Sequence, residues 1–262
     1  MHPIAFHFDR FTIYWYGIFT ALGFLAGFWT ASRRAVRDGL KADDIMDSAI
    51  WILIGTVVGA RSLHVISYWH EQYAGQPWKE IFMIQKGGLV YYGGLMGASA
   101  AAILYTRIRH MPLWKYADAL APSVALGHAF GRVGCLMTGC CFGKECHLPW
   151  AISFPPQHET HGIPVHPTQI YESLLNFCLY LFLAWAYRRK KFDGQIFAAY
   201  LMIYAVVRSF VELFRGDYKP QEFAFHILAP GQVVSIFVFV IGGVLFWIFS
   251  RDQSAAKQTG HG

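Results

Sequence analysis

The sequence predicts an all-α membrane protein with about seven transmembrane helices, and composition and hydropathy together support this fold class. Of the 262 residues, 55% are hydrophobic and only 15% are charged, whereas a soluble domain has about a quarter charged residues. The mean hydropathy is +0.33. The aromatic content of 17% is typical of proteins with belts of Trp and Tyr at both membrane surfaces. Most of the chain is therefore expected to lie in a lipid bilayer.

Seven segments are apolar enough to be membrane spans, for which about 20 predominantly apolar residues are needed. The N-terminus lacks the basic region of a cleaved signal peptide, so the first segment is expected to remain as a span. No internal repeat is visible. Glycines that recur four residues apart in the spans predict close helix packing; the pairs are Gly23 with Gly27, Gly55 with Gly59 and Gly127 with Gly131. We predict a single transmembrane domain over residues 1–250 and a short cytoplasmic tail over 251–262. The predicted spans are residues 13–31, 46–66, 87–106, 113–137, 167–187, 195–214 and 231–249.

The distribution of Lys and Arg predicts the orientation, because cytoplasmic loops of membrane proteins are enriched in these residues. One set of span ends carries 13 of the 22 basic residues and the opposite set carries 6. This asymmetry predicts a cytoplasmic C-terminus and, with seven spans, an N-terminus outside the cell. The net charge of +6 is divided among short clusters between apolar runs, which argues against a nucleic-acid-binding face.

Ionisable residues at membrane depth are costly and therefore point to function. Arg132 lies at the end of the fourth span, and RSFVELFR ends the sixth with Arg208, Glu212 and Arg215 at helical spacing. We expect these three side chains on one stripe of the helix. The alternative is that Arg208 and Glu212 form a buried pair that only fixes helix packing.

The predicted topology brings charged, aromatic and glycine-rich segments of several spans to the outer side of the membrane. They are GRVGCLMTGCCFG at the fourth span, HPTQIYE at the fifth, RSFVELFR at the sixth, GGLVYYGG at the third and Arg61 in the second. Guanidinium groups pair bidentately with phosphate. We therefore predict a positively charged, glycine-lined pocket that binds an anionic lipid headgroup.

The cysteine-rich segment has several interpretations. Cys135, Cys140, Cys141 and Cys146 precede His147, but C-x4-C-C-x4-C-H is not a standard zinc spacing. One or two disulfides are an alternative for an outward-facing loop, and buried thiols that fill gaps between helices are another. We predict no metal and no cofactor, and the bonding state of the thiols stays open.

At this point the sequence resembles the bacterial prolipoprotein diacylglyceryl transferases. The features that carry the resemblance are WYG at 15–17, GGLVYYGGLMG, GRVGCLMTGCCFG, HPTQIYE and RSFVELFR, in that order over almost the whole chain. The resemblance implies transfer of the diacylglyceryl group from phosphatidylglycerol to the lipobox cysteine thiol of a prolipoprotein. A thioether forms and glycerol phosphate leaves.

The resemblance also implies roles for individual residues. Arg132 would bind the phosphatidylglycerol headgroup, and Arg208, held by Glu212, would be a second cation on the phosphate. Tyr16 and Arg215 would line the same site, and glycines would let the backbone approach the lipid. The implied catalytic residues are Arg132, Arg208, Glu212 and Tyr92, and the implied lipid-binding residues are Arg132, Tyr16, Gly131, Gly134, Gly143 and Arg215.

Three positions depart from the usual family pattern. Tyr92 occupies the place of a histidine that is a candidate base for the incoming thiol, and the unperturbed pKa of tyrosine, about 10, makes it a poor base. Cys135 stands where asparagine is usual, and Cys140 where an acidic residue is usual. The identity of the base therefore stays open.

The resemblance implies a multi-pass protein of the bacterial plasma (inner) membrane, with its active site facing the periplasmic or outer leaflet. We expect a monomer whose partners are phosphatidylglycerol, the prolipoprotein cysteine and the lipid bilayer. Two alternatives are a metal-dependent membrane enzyme that modifies phospholipids and, less well supported, an anion transporter. Transport would need a polar path through the membrane. Asp47 and Asp118 are not evidence for such a path, because they are expected to lie at the inner membrane interface.

Overall fold

The computed structural model describes residues 3–8, 11–84, 87–217 and 229–259. Within these ranges the chain forms long helices with two short antiparallel hairpins. The hairpins pair β1, Ile4–Phe8, with β2, Phe11–Tyr14, and β3, Ile152–Ser153, with β4, Pro164–Val165. The helices are α1 Trp15–Ala35, α2 Ala42–Ser67, α3 Tyr91–Ile108, α4 Leu113–Thr138, α5 Thr168–Tyr187, α6 Gln195–Glu212 and α7 Pro230–Thr259.

Each of the seven predicted spans overlaps one of these helices, so the prediction of a mainly helical fold is confirmed. Four helices, α2, α5, α6 and α7, are long and apolar enough to cross a membrane. In α7 only 11% of the most apolar 18-residue window is buried, which is the pattern expected of a helix that faces lipid. The crossing of the membrane by all seven helices, and their orientation, stay predictions.

The chain divides into two compact units. The second unit, residues 32–116, has α2 packed on α3 through glycines. A Cβ added at Gly55 would lie 2.6 Å from the carbonyl oxygen of Gly97, and one at Gly59 would overlap the carbonyl of Gly93. The prediction that Gly55 and Gly59 allow close helix packing is therefore confirmed.

Arg61 organises the segment between α2 and α3. Its guanidinium donates hydrogen bonds of 2.7–3.2 Å to the carbonyl oxygens of Glu80, Ile81, Gly87 and Gly88. Gly87 and Gly88 adopt positive φ values of 86° and 79°, which side chains disfavour. These carbonyls engage four of its five N–H donors, and the prediction that Arg61 contributes a cation to the lipid pocket stays untested.

The first unit contains residues 1–31 and 117–262. Here α1 packs closely on α4, since a Cβ at Gly23 would lie 2.8 Å from the Cβ of Phe130 and 3.3 Å from the Cα of Gly127. The close approach predicted for the glycine pairs of α1 is confirmed. Gly131 differs, because a Cβ added there would meet no atom within 4 Å.

Asp118 lies in the second turn of α4, in the first unit, and it is completely buried. Its carboxylate accepts hydrogen bonds of 2.9 Å from the backbone N–H groups of Gly194, Ile196 and Phe197, and Lys190 pairs with it at 3.2 Å. Asp118 therefore caps the N-terminus of α6. The expectation that it lies at the inner membrane interface stays a prediction.

Candidate active site

Four charged side chains from three helices meet in the first unit. The Glu172 carboxylate pairs with Arg132 through one oxygen, at 3.0 Å, and with Arg208 through the other, at 3.3 Å. Arg208 also lies 2.8 Å from Glu212. We call Arg132, Glu172, Arg208 and Glu212 the arginine–glutamate cluster. It brings together the two arginines that the sequence proposed as phosphate ligands.

Helix ends determine where these side chains lie. Arg132 is one and a half turns before the end of α4, Glu172 lies in the first turns of α5, and Arg208 and Glu212 are in the last turns of α6. The start of α5 is tied to the loop after α4, because Thr168 Oγ1 donates to the carbonyl of Cys141 at 2.7 Å. Three helix termini therefore meet at one place.

The cluster is buried but not sealed. The Glu172 side chain is 3% exposed, whereas the side chains of Arg132 and Arg208 keep 21% and 15% of their surface. The two arginines and two glutamates carry a formal net charge of zero. The excess of positive charge predicted for the pocket is therefore not present within these four residues, and the guanidiniums are held by carboxylates instead.

Glu212 lies against the beginning of α7. A Cβ added at Gly231 would approach the Glu212 carboxylate to 2.5 Å, so a larger residue at this position would displace the carboxylate. Neither carboxylate oxygen of Glu212 has a hydrogen-bond partner among the described residues, although Arg208 Nη2 lies 2.8 Å from one of them. The predicted Arg208–Glu212 pair is confirmed as an ion pair.

An aromatic pair packs beside the cluster. The rings of His128 and Tyr204 lie 5.1 Å apart. His128 is within electrostatic reach of both Arg132 and Arg208, and Tyr204 is within reach of Arg132. His128 is one turn before Arg132 on α4, as its spacing predicts.

The cysteine-rich loop turns sharply after α4. Gly139 adopts φ = 84°, and its N–H caps the helix by donating to the carbonyl oxygen of Cys135 at 3.0 Å. Cys141 also adopts a positive φ of 65°. These two left-handed residues fold Cys140 and Cys141 back toward Cys135.

All five cysteines of the chain lie in described ranges and are free thiols. The sulfurs of Cys135, Cys140 and Cys141 lie within 4.8 Å of one another, and we call these three residues the thiol cluster. Hydrogen bonds from the neighbouring thiols, from Cys135 first and then from Cys141, lower the pKa of Cys140. Cys146 does not belong to the cluster, and its sulfur accepts a hydrogen bond from the Leu148 N–H at 3.4 Å.

Four of the other predicted lipid-binding residues also lie near the end of α4. Tyr16 packs on Gly134, where an added Cβ would lie 3.1 Å from the Tyr16 Cα, and it is within electrostatic reach of Cys135 and Arg132. Gly131 faces open space. Gly143 has a packing role, because a Cβ there would lie 2.5 Å from the Cβ of His166.

Arg215 and Tyr92 are not placed in the cluster. Because α6 ends at Glu212, Arg215 leaves the predicted stripe, and its guanidinium binds both oxygens of Asp217 at 2.7 Å. The stripe predicted for Arg215 is therefore wrong. Tyr92 belongs to the second unit, in the first turn of α3, where 55% of its surface is exposed.

The HPTQIYE segment contains buried polar residues for which the sequence predicts no role. Glu172 joins the two arginines, and Gln169, which is 1% exposed, donates to the carbonyl of Cys140 at 2.7 Å. The spacing of Gln169 and Glu172 on one face of a span, where polar residues are costly, was the signal that could have identified them.

Comparisons with known proteins give a consistent result over the whole length. Residues 3–248 match the family model described as prolipoprotein diacylglyceryl transferase. The chain is 35% identical to the phosphatidylglycerol–prolipoprotein diacylglyceryl transferase of Clostridium tetani, over 97% of this chain and 98% of that protein. It is 36% identical to the protein of that name from Geobacillus kaustophilus, over 96% and 93% of the two chains. The counterpart from Nitratidesulfovibrio vulgaris is 33% identical, over 97% and 95%.

Proposed function

The chain belongs to the prolipoprotein diacylglyceryl transferase family, and we propose that its arginine–glutamate cluster binds the phosphate of the lipid substrate. The protein is a membrane transferase that moves the diacylglyceryl group from phosphatidylglycerol to the cysteine thiol of a prolipoprotein. The thiol becomes a thioether, and glycerol phosphate is released.

The reaction places specific demands on the site. The thiolate attacks the glyceryl carbon while the bond from that carbon to the phosphate oxygen breaks, and the oxygen keeps the electron pair. The phosphodiester carries one negative charge and the leaving phosphomonoester carries up to two. Fixed hydrogen-bond donors directed at such developing charge each lower the activation free energy by about 3–4 kcal/mol.

The proposal rests on one observation. The two carboxylate oxygens of Glu172 pair with different arginines, one with Arg132 and the other with Arg208. An arginine has five N–H donors in a rigid plane, and one terminal nitrogen of Arg132 is directed at Glu172. The partly exposed Arg132 side chain can therefore bind phosphate oxygens while Glu172 holds its orientation. The open space at Gly131 leaves room for a headgroup next to it.

Arg132→Ala and Arg208→Ala test this assignment in the full-length protein. Transfer from labelled phosphatidylglycerol to a lipobox peptide should fall by about 10²–10³-fold in each variant, while membrane insertion is retained. Arg251→Ala is the matched control, because Arg251 is exposed near the end of α7 and contacts Trp247. Full activity in either cluster variant would remove the phosphate-binding role.

Tyr92 remains the sequence-based candidate for the group that accepts the thiol proton. Its hydroxyl is the group at this position that could accept a proton, and substitution tests that role directly. A loss of about 10²-fold or more in Tyr92→Phe, with activity retained in Tyr92→His, would identify the hydroxyl as the acceptor. Full activity of Tyr92→Phe would assign ionisation of the thiol to another group.

We also propose that all seven helices cross the bacterial plasma (inner) membrane of a monomeric protein, with the active site at the periplasmic leaflet. The excess of Lys and Arg at one set of span ends supports a cytoplasmic C-terminus and an outer N-terminus. Reporter fusions after Arg251 should be active only in the cytoplasm. A fusion that is active only outside the cell would reverse the topology.

A further inference from the structure

The thiol cluster is built more specifically than the proposed transfer reaction requires. Packing alone does not require three thiols to lie together, yet the sulfurs of Cys135, Cys140 and Cys141 all lie within 4.8 Å of one another. Cys140 is exposed, and Cys135 and Cys141 are partly buried. Ligands that enter the loop from outside can therefore reach the cluster.

The backbone of the loop is held in place around these sulfurs. The carbonyl of Cys140 accepts a hydrogen bond from Gln169, and that of Cys141 accepts one from Thr168, both at 2.7 Å. The Thr138 hydroxyl lies 3.4 Å from the Cys140 sulfur. Cys141 is held in a left-handed conformation that a residue with a side chain adopts only at a cost. The convergence of the thiols is therefore enforced by the fold.

The spacing of the sulfurs suits a small tetrahedral metal ion. A zinc–sulfur bond is about 2.3 Å long, so two sulfurs of a tetrahedral zinc site are about 3.8 Å apart. Each sulfur pair within 4.8 Å reaches this distance by a movement of about 1 Å or less, which side-chain rotation can supply. A disulfide would use two of the three sulfurs and leave the third without a function.

The neighbouring candidates do not complete a four-ligand site. Cys146 is buried and its sulfur is directed at the Leu148 N–H. His147 is exposed and lies 3.5 Å from Glu145. His158 is close to the loop, but its Nε2 lies 2.8 Å from the Gly139 carbonyl oxygen. Three protein ligands and one open position are the arrangement typical of catalytic zinc sites.

We propose that Cys135, Cys140 and Cys141 bind one Zn²⁺ ion through three thiolates and that the thiol of the incoming prolipoprotein cysteine binds at the fourth position. This inference rests on the proposed transferase function, and it departs from the prediction, made from cysteine spacing, that the protein binds no metal. The chemistry favours zinc because thiolate ligands select it over magnesium or calcium.

The metal supplies what Tyr92 lacks as a base, because a thiol that coordinates zinc is deprotonated outright. On binding, the substrate thiol loses its proton to solvent water and its sulfur becomes the fourth ligand. The sulfur then forms a bond to the glyceryl carbon, the carbon–oxygen bond to phosphate breaks, and glycerol phosphate leaves with the electron pair. The neutral thioether product binds zinc more weakly than the thiolate does and can dissociate.

The position of the thiol cluster fits this sequence of events. Cys135 follows Arg132 by one turn on α4, and Arg132 is within electrostatic reach of Cys135 and Cys141. Three thiolates and one zinc ion carry a net charge of −1, so the Arg132 guanidinium stabilises the loaded site. A nucleophile at the fourth zinc position would therefore lie beside the arginine proposed to bind the phosphate.

The first test is the metal content and the Co²⁺ spectrum of the full-length protein purified in detergent without chelators. We expect about one zinc per chain, and Co²⁺ replacement should give thiolate-to-cobalt charge-transfer absorption. Each single replacement of a cluster cysteine by serine should weaken Zn²⁺ binding by more than about 100-fold, because loss of a hydrogen-bond partner of a metal ligand already costs up to about that factor. The three variants are Cys135→Ser, Cys140→Ser and Cys141→Ser. Cys178→Ser is the matched control, because Cys178 is exposed on α5 outside the cluster.

The second test concerns the fourth ligand. A lipobox peptide with its cysteine should increase the charge-transfer absorption of the Co²⁺ form, and the same peptide with serine should not. Protein that transfers diacylglycerol but contains no zinc, or that has a disulfide within the cluster, would overturn the inference and leave the proposed function intact. Protein that binds zinc through the three cysteines but transfers nothing would instead contradict the proposed function. Equal Co²⁺ spectra with both peptides would remove the role of the substrate thiol as a ligand.

Discussion

Glu172 is the residue whose removal tests the cluster most directly, because it is the only described carboxylate that pairs with both Arg132 and Arg208. Glu172→Gln keeps the size of the side chain and removes its charge. The variant leaves two buried guanidiniums side by side without the carboxylate between them. We expect both stability and phosphate positioning to suffer.

The magnitude follows from the burial of the groups. Loss of one partner from a buried ion pair costs about 3–5 kcal/mol. Glu172 takes part in two pairs, but the 21% and 15% exposure of the arginine side chains lets water compensate in part. We therefore expect a loss of about 3 kcal/mol, which for a chain of this size lowers Tm by about 6–12 °C.

Thermal unfolding in detergent at a fixed scan rate measures this effect. Glu145→Gln is the control, because the Glu145 side chain is 62% exposed and the ion pair described for it is with His147. The Tm of this variant should differ from that of the wild type by less than about 2 °C. The double variant Glu172→Gln/Arg208→Gln should be more stable than the sum of the single changes by about 1–3 kcal/mol. An unchanged Tm in Glu172→Gln, or strict additivity in the double variant, would refute the description of Glu172 as the bridge.

Three further predictions concern stability and access to the site. Asp118→Asn should lower the free energy of unfolding by about 3 kcal/mol, because the amide cannot serve both the α6 N-terminus and Lys190; thermal unfolding checks this, and an unchanged Tm would contradict the capping role. Gly134→Ala should reduce both Tm and transfer, since the new methyl group would press on the Tyr16 backbone; a variant indistinguishable from wild type would exclude that contact. Gly131→Ala should raise Tm by about 2–4 °C, because alanine is preferred to glycine inside a helix, and should raise the KM for phosphatidylglycerol, because its methyl group enters open space beside the site; an unchanged KM would place the headgroup elsewhere.

Local spacing accounts for the parts of the site that the sequence predicted well. Arg208 and Glu212 are four residues apart, so one helix suffices to make them neighbours. His128 and Arg132 are related in the same way on α4. The glycine pairs of α1 and α2 were identified for the same reason, because small residues four apart form a continuous smooth strip on one helix face.

The prediction for Arg215 was wrong because the helix ends before the predicted pattern does. Arg215 has helical spacing to Arg208, but α6 ends at Glu212 and Asp217 binds the Arg215 guanidinium. Other contacts could not be predicted from local spacing. Arg61 donates to four carbonyls distant in sequence, and Asp118 caps a helix that begins almost 80 residues later.

The sequence by itself determined that the chain forms apolar membrane helices and that it belongs with the diacylglyceryl transferases, because composition, hydropathy and motif order are properties of the linear chain. Only the tertiary structure decided that Glu172 bridges Arg132 and Arg208, since that requires α4, α5 and α6 to end at one place. It also decided that Cys135, Cys140 and Cys141 converge while Cys146 turns away, because two left-handed residues and the hydrogen bonds of Thr168 and Gln169 set the path of the loop. Side-chain direction along one helix is local, whereas the sharing of one carboxylate by two arginines depends on how separate helices pack.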